Sequence, residues 1–258
     1  MGIRQSIIIA AAIAAASTAL FAEEEAPKRE FSLTIGGAFN DGNTEDKSGN
    51  AAIEYKNVIE DVGEYKLGAN GTITRTSVTK ETTDANGEKK TSKSEETTAK
   101  NGEAAGKILF TVDDPFSVYL NASIFADEIA DVDYRAMVGA GVAVDLFKSD
   151  AATIRLEVGV APMWEKIDGE TEYYTMGRIA ETLEYSFAGG AKVWESAEYL
   201  PALDDGDKYL FNAEAGVESP LNDMLTLRFV IKDRYNSLPG DGNEKNDVSA
   251  TVGIRVKL

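Results

Sequence analysis

The chain has 258 residues, 44 Asp and Glu against 26 Lys and Arg, a formal net charge of −18, and neither cysteine nor histidine. The missing cysteines exclude disulfides, thiolate chemistry and cysteine metal sites, and the missing histidines exclude an imidazole base or metal ligand. So acidic a surface repels nucleic acid, and no nucleic-acid partner is expected. The length allows one large β domain or two small ones, and nothing resembles an interdomain linker.

The first segment, residues 1–22, is predicted to be a Sec signal peptide. A positive charge supplies its start, an apolar run of isoleucines and alanines follows, and small residues lead to an abrupt run of acids at Glu23. Cleavage after Ala22 fits best, and cleavage after Ala19 is the alternative. A single membrane anchor is the other interpretation, but the apolar stretch is shorter than the ~20 residues that span a bilayer. The mature domain is then residues 23–258, exported by the Sec machinery.

Alternation of apolar and polar residues with a period of two runs through the mature chain and predicts β-strands. The clearest case is 248–258, where an apolar residue occupies every second position and polar or charged residues lie between. Most such segments are longer than the usual soluble strand and suit the ~9–11 residues of a tilted membrane strand. We predict twelve strands, with ten to fourteen compatible with the pattern: 31–39, 48–59, 64–78, 103–112, 116–128, 134–146, 153–166, 173–187, 192–200, 209–218, 224–236 and 248–258.

The connections alternate in length, with short turns on one side, long polar loops on the other, and both termini on the short-turn side. Bacterial outer-membrane barrels have this asymmetry. The sequence therefore predicts an all-β fold, a transmembrane antiparallel up-and-down β-barrel. The predicted turns are Glu60–Gly63, Asp113–Pro115, Phe147–Ala152, Ala188–Ala191 and Ser219–Asp223, and the predicted loops are Asn40–Lys47, Thr79–Gly102, Ile129–Asp133, Ile167–Glu172, Pro201–Lys208 and Ser237–Asp247.

Three features interrupt this regular pattern. Pro162 lies inside the seventh segment, which predicts a bulge there. Glu181 and Glu195 fall on the nominal lipid face, so their strands either carry a bulge or are assigned in the wrong register. The stretch Thr79–Lys100 is rich in Thr, Lys and Glu around an Asn-Gly pair. It is either a disordered loop or two extended strands that project beyond the membrane around a tight turn.

Short motifs give the chain a family resemblance. Gly42–Thr44 follows the first strand, and Arg234–Pro239 leads through Lys245–Asp247 into the closing strand. With the signal peptide and the overall size, these motifs resemble the salt-induced outer-membrane proteins of the YdiY type, a domain family of unknown function. The resemblance implies a barrel in the outer membrane of a Gram-negative-type envelope, with outer-membrane lipid and the barrel-assembly machinery as partners. It carries no catalytic or binding residues over, and Leu258 departs from the aromatic residue that usually ends such barrels.

The motifs that resemble chemical sites have simpler explanations. Ser77–Lys80 matches a Ser-x-x-Lys pattern, but its companion motifs are missing. Asp204–Asp207 and Asp241–Glu244 offer oxygen ligands for Ca²⁺ but lack the spacing of an EF-hand, and solvated turns explain them better. No catalytic residue, cofactor or metal site is predicted, and the chain is not expected to be an enzyme.

The strand assignment predicts a lumen of mixed charge with a slight excess of basic residues. Two interpretations stay open: a plug of ion-paired side chains in a narrow barrel, or a small porin-like channel that leans towards anions and passes small solutes or ions. The side chains predicted to line the lumen include Arg135, Arg155, Arg178, Arg228, Lys232, Arg234, Arg255, Lys257, Glu157 and Glu184.

The predicted function is therefore that of an outer-membrane barrel with an envelope or structural role, or with a narrow channel. A secreted soluble β-sandwich that binds a ligand is one alternative, because a half-buried soluble strand has the same period of two. An outer-membrane enzyme is the other alternative, and the absence of histidine counts against it.

Overall fold

The computed structural model describes residues 29–40, 44–59, 62–83, 89–240 and 242–257. The predicted signal peptide 1–22 lies outside the described residues, as do Gly42, Asn43, Glu60, Asp61, the Asn86-Gly87 pair, Asp241 and Leu258. The described residues include no helix that is long and apolar enough to cross a membrane.

Twelve strands form a closed barrel in which each strand pairs antiparallel with its neighbours in the chain, and β1 closes the ring against β12. The predicted up-and-down barrel and its strand count are confirmed. Closure pairs the backbone groups of both edge strands, which the membrane interior requires. The strands are β1 (Arg29–Asn40), β2 (Thr44–Ile59), β3 (Gly63–Thr83), β4 (Lys89–Asp113), β5 (Phe116–Asp127), β6 (Val132–Lys148), β7 (Ala152–Ile167), β8 (Glu170–Ser186), β9 (Lys192–Pro201), β10 (Tyr209–Pro220), β11 (Leu225–Asn236) and β12 (Asn246–Lys257).

The outer face of the barrel is a predominantly apolar surface. Large side chains on different strands are half exposed or more, for example Ile35 at 61%, Leu120 at 51% and Val142 at 58%. Soluble monomers rarely expose apolar patches larger than a few hundred Å². A band of this kind around a barrel is the surface that lipid covers.

Aromatic pairs border this apolar band at both ends. Tyr185 and Phe187 contact each other on the short-turn side, and Trp164 and Tyr173 contact each other on the loop side. Along β8, the twelve residue-to-residue steps from Tyr173 to Tyr185 rise by about 30 Å along the axis of a barrel whose strands tilt by ~40°. This height matches the hydrocarbon thickness of a bilayer, so the two borders lie where the membrane interfaces would be.

Two features of β7 differ from the prediction. The predicted loop Ile167–Glu172 is a two-residue turn at Asp168 and Gly169, whose φ values of 52° and 81° allow a type I′ hairpin. The predicted bulge at Pro162 is wrong, because Met137 pairs with Met163 and Ala140 with Val160 in the same register on either side of it. The missing N–H of the proline therefore interrupts the ladder towards β6 without shifting the strands.

Glu181 and Glu195 lie on the outer face of the barrel. Glu181 lies between the exposed Ile179 and Leu183 on β8, and the pairings of β8 with β7 and β9 run through it without a register shift. Neither a bulge nor a wrong register therefore explains why these two acids fall on the nominal lipid face. Both acids belong to the outer surface on the side of β8 and β9.

β3 and β4 continue beyond the rest of the barrel as a two-stranded ribbon. Their pairing extends to Thr83 and Lys89, whereas β2 stops pairing with β3 at Val78 and β5 stops pairing with β4 at Asn101. We call Thr79–Thr83 and Lys89–Lys100 the polar ribbon. Of the two alternatives for this stretch, the extended strands are confirmed and the disordered loop is wrong for the described residues.

Shortening the polar ribbon should leave the barrel folded. Val78 lies opposite Ser94, so replacing residues 79–93 by Asn-Gly closes the hairpin with a tight turn. Because this stretch has no large apolar residue to bury, we expect the free energy of unfolding to change by less than about 1 kcal/mol. Urea titration of protein folded in lipid vesicles measures the difference. A loss of several kcal/mol would mean that the ribbon stabilises the barrel.

Candidate functional site

Ion pairs between distant strands identify the inner face. Lys66 on β3 contacts Glu184 on β8 with 3.9 Å between Nζ and Oε1, and Arg234 on β11 contacts Glu103 on β4 with 2.9 Å between Nη2 and Oε2. The members of each pair are five strands apart around a ring of twelve. Contacts between such distant strands can only pass through the interior, so these side chains face the lumen.

The same two ion pairs define the shape of the lumen. A round barrel of twelve strands with ~4.8 Å spacing and ~40° tilt has a backbone diameter of about 24 Å. An extended lysine or arginine that meets a glutamate spans only about 15 Å between the two Cα atoms. The walls that carry these pairs are therefore closer than in a round barrel. The cross-section is oval, and charged side chains bridge its narrow direction.

Two charged groups organise the lumen near the short turns. One is the carboxylate of Glu64 on β3, and the other is the guanidinium of Arg255 on β12. Each contacts three oppositely charged side chains at 2.9 to 3.5 Å. The partners are Lys56, Lys66 and Arg155 for Glu64, and Glu30, Glu54 and Glu218 for Arg255.

A buried ion-pair chain lies in the middle of the lumen. Glu157, only 2% exposed, accepts hydrogen bonds from Lys107 and from Arg178, the latter at 2.8 Å, and Arg178 also donates to Glu198 at 2.6 Å. The ring of Tyr119 lies against both cations, 5.3 Å from the Lys107 ammonium and 4.9 Å from the Arg178 guanidinium carbon. Cation–π contacts of this kind add to the ion pairs when water is excluded.

Glycines on the neighbouring wall make room for this arrangement. A Cβ on Gly141 or on Gly159 would collide with the hydroxyl of Tyr119 and with backbone atoms. Both glycines lie on the inner face of β6 and β7, directly opposite each other in the ladder. The tyrosine can therefore lie flat against the wall beneath the ion pairs.

The β9–β10 loop closes part of the lumen on the loop side. Leu203 N donates to Thr175 O at 2.8 Å, which holds the loop against β8, and Ala202 N donates to Lys208 O at 2.9 Å, which closes the loop on itself. A small apolar core lies beneath the loop, formed by Met137, Ala161, Met163, Met176, Leu200, Ala202 and Leu210. This core covers the interior next to β6–β10.

Lys208 reaches from this loop into the barrel. Its side chain and that of Glu165 are each only 1% exposed, and Nζ contacts Oε1 of Glu165. Arg135 Nε donates to the other oxygen of the same carboxylate at 2.7 Å. The ring of Tyr174 lies 5.1 Å from the ammonium. One buried carboxylate thus holds two cations from different parts of the chain.

The remaining lumen on the loop side is a cavity of about 420 Å³. Its lining carries both signs of charge, including Lys107, Glu157, Arg178, Glu198, Arg234 and Lys245. The β11–β12 loop crosses above it, and Asn243 Nδ2 donates to Ala130 O at 3.3 Å. The cavity is thus a vestibule between the central ion-pair chain and the outer loops.

Of the ten side chains predicted to line the lumen, the structure brings nine into ion pairs with other inner-face groups. Arg228 pairs with Glu54 at 2.9 Å and lies against the ring of Trp194, and Lys232 pairs with Glu214 at 3.0 Å. Lys257 is exposed at the rim on the short-turn side. The nine are Arg135, Arg155, Arg178, Arg228, Lys232, Arg234, Arg255, Glu157 and Glu184.

Sequence reasoning missed five charged groups of the lumen: Glu30, Glu64, Glu103, Glu218 and Lys208. The four acids lie at the ends of the predicted segments or, for Glu30, one residue before the first segment, and all four are in phase with inner residues of the same strand. Following the alternation to the ends of the segments, and one residue further for Glu30, would have found them, whereas Lys208 lies in a loop, where no alternation applies. With these acids the predicted excess of basic residues disappears, and the lumen is close to charge balance.

The strands form a closed antiparallel ring. Its exterior is apolar between two aromatic borders, and its interior is charged. These features define a transmembrane β-barrel of the outer-membrane type. The chain belongs to the family described as "Protein of unknown function, DUF481", whose model matches residues 33–258. This confirms the family resemblance noted in the sequence.

Solved structures of similar fold include the NanC porin, with a TM-score of 0.53, 8% identity, and coverage of 88% of this chain and 100% of that chain. The KdgM porin has a TM-score of 0.48 and 7% identity, covering 88% of this chain and 99% of that chain. At these identities the likeness concerns the fold alone. None of the curated proteins matches the sequence.

Proposed function

We propose that the protein is an outer-membrane channel for small ions and solutes, with a narrow lumen of balanced charge. The observation that carries the proposal is the pair of ion-pair bridges, Lys66–Glu184 and Glu103–Arg234, that join nearly opposite walls. Large solutes can pass only when these ion pairs separate, whereas small ions can pass beside them along the charged and hydrated wall. Because neither sign of charge dominates, selectivity between small anions and cations is weak.

The proposal includes the route to the membrane. The Sec machinery exports the chain, residues 1–22 are removed, and the barrel-assembly machinery inserts residues 23–258 into the outer membrane. The composition of the N-terminus and the apolar band between aromatic borders support this route. The protein does no chemistry in this proposal, because the charged groups of the lumen are engaged with one another and not grouped around an open reaction site.

Single-channel recording on the purified protein in planar bilayers tests the channel. We expect a small wild-type conductance, and a conductance raised by about twofold or more in the double variant Lys66→Ala/Glu103→Ala, which removes one group from each bridge and leaves the net charge unchanged. The matched control is Lys257→Ala at the exposed rim, which should leave the conductance close to wild type.

A wild-type protein and a bridge variant that both fail to conduct would contradict the channel. That result would favour a closed barrel with a structural role in the envelope. The β9–β10 loop and its apolar core, which cover the lumen beside β6–β10, are the observation in favour of that second function.

A further inference from the structure

The outer face has an apolar groove of about 720 Å³ that crosses β2 to β6. Small side chains form its floor, and larger ones form its two sides. The floor residues are Ala69, Ala104, Gly106, Ala122 and Ala136, and the side residues are Ile53, Leu67, Ile124 and Val138. Because these residues belong to the outer face, the groove opens towards lipid and not towards the lumen. We call this depression the outer groove.

Two glycines continue the floor of the outer groove towards the loop side. Gly71 on β3 and Gly102 on β4 are directly opposite each other, one outer-face pair beyond Ala69 and Ala104. A Cβ on either glycine would make only ordinary contacts, 3.5 Å or more from the nearest backbone oxygen. Glycine weakens the interior of a strand, and it often marks a site that a ligand approaches closely. Packing within the barrel does not require these two glycines, so the open floor points to a molecule outside the barrel.

Basic residues of three adjacent strands lie at the loop end of this floor. Lys100 belongs to the next outer-face pair after the two glycines, and Arg75 is one outer-face position further along β3. Both residues are exposed. Lys47 on β2 is directly opposite Arg75 in the ladder. Like charges at opposite positions destabilise a strand pair, so an anion bound at this end of the groove would stabilise the strands.

These cations lie at the depth of a lipid head group. Arg75 is ten residue-to-residue steps from Tyr65 on β3, and Lys100 is ten steps from Phe110 on β4. Tyr65 and Phe110 are aromatic residues near the short-turn ends of these strands. For strands that tilt by ~40°, ten steps place both cations about 25 Å above them. The hydrocarbon core is ~30 Å thick, so Arg75 and Lys100 lie close to the loop-side interface.

The acids beside these cations lie farther from the membrane. Glu45 and Glu95 are each opposite Ser77, one outer-face position beyond the basic residues. Glu128 follows the end of β5 and contacts Lys100, and both side chains of this pair are more than half exposed. Because an exposed ion pair contributes little to stability, a phosphate at the membrane surface can compete for Lys100.

We propose that the outer groove binds a phosphorylated lipid of the loop-side leaflet, with the phosphate between Arg75 and Lys100 and an acyl chain along the floor towards Gly106. The groove is apolar within the hydrocarbon and basic at its surface, which is the order of the parts of such a lipid. Arginine forms bidentate hydrogen bonds to phosphate, and basic pockets at a membrane surface bind anionic head groups.

The length of the floor fits one leaflet. Lys100 and Gly106 are six residue-to-residue steps apart on β4, which corresponds to about 15 Å along the barrel axis. This is half of the hydrocarbon thickness, the depth to which an acyl chain of one leaflet extends. The site lies outside the barrel, so the proposal does not depend on whether the lumen conducts.

Binding of dioleoyl phosphatidic acid to the protein folded in micelles of a neutral detergent tests the site. Native mass spectrometry during a lipid titration gives the Kd of the first bound lipid. Arg75→Gln/Lys100→Gln removes the phosphate contacts and should weaken this binding by about tenfold or more. Gly71→Leu/Gly102→Leu fills the floor without a change of charge and should weaken it by about fivefold or more.

The matched control is Lys148→Gln/Lys166→Gln, which removes two cations at the ends of β6 and β7 and gives the same net charge as the first variant. Its Kd should stay within about twofold of wild type. Heat-modifiable mobility on gels shows that each variant is folded, and the charge pair and the glycine pair are independent, so a folding failure of one leaves the other as the test.

Two further ligands separate the parts of the lipid. Dioleoyl phosphatidylcholine has the same chains without net charge and should bind wild type clearly more weakly than phosphatidic acid. Inorganic phosphate at the same concentration should not displace the lipid, because it cannot fill the apolar floor. Displacement by inorganic phosphate, equal affinity for the two lipids, or equal weakening in the control and in Arg75→Gln/Lys100→Gln would overturn the proposal. So would unchanged binding in Gly71→Leu/Gly102→Leu.

Discussion

Replacing Glu165 by alanine should lower the free energy of unfolding of the barrel by about 3–5 kcal/mol, because it leaves a buried ammonium without its counter-ion. Lys208 and Glu165 are each 1% exposed. Without the carboxylate, the partners that Lys208 Nζ keeps among the described residues are the Leu238 carbonyl at 3.4 Å and the face of the Tyr174 ring. Arg135 loses its partner at the same time. Urea titration of protein folded in lipid vesicles measures the change.

Two further variants separate this effect from a general loss of packing. Glu165→Ala/Lys208→Met removes both members of the buried pair and should recover much of the lost stability. Lys166→Ala removes a neighbouring but exposed pair, in which Lys166 Nζ lies 2.7 Å from Asp133 Oδ2, and should cost less than about 1 kcal/mol. Equal losses in the single and double variants would mean that burial of the ion pair is not the cause.

The strands of the barrel were predictable because each face of a membrane strand meets a different environment. One face meets lipid and the other meets a charged lumen. This contrast imposes the alternation of apolar and polar residues in 248–258, which forms β12 in the structure. The polar ribbon lacks this contrast, since water surrounds both faces beyond the membrane. Its residues Thr79–Thr83 and Lys89–Lys100 therefore show no alternation, and the sequence left a disordered loop open as an alternative.

The pairing of charges in the lumen was not predictable from the sequence. Arg228 and Glu54 are 174 residues apart in the chain and meet only because β11 and β2 come close inside the ring. The bridge between Glu103 and Arg234 depends in addition on the oval cross-section. Local patterning shows which face a side chain occupies, but strand distances across the barrel decide which charges meet.

The clearest test of the two faces compares arginine at adjacent positions of β12. Val252 lies near the middle of the strand, on the outer face opposite Phe229, and is 43% exposed. Val252→Arg must carry its charge into the hydrocarbon and should lower the free energy of unfolding in lipid vesicles by about 2–4 kcal/mol. Thr251 lies on the inner face opposite Val230, and Thr251→Arg can extend along the polar lumen at a cost of less than about 1 kcal/mol.

A variant on the same face but at a different depth in the membrane is the matched control for this comparison. Val248 belongs to the same outer face, is 59% exposed, and lies near the loop end of β12. Val248→Arg should therefore cost only about 0–1 kcal/mol, because a charge near the interface can reach water. In urea titration, the free energy of unfolding of Val252→Arg should be clearly lower than that of the other two variants. A soluble sheet that buried this face would penalise Val248→Arg and Val252→Arg alike, and a larger loss for Thr251→Arg than for Val252→Arg would reverse the assignment of inside and outside.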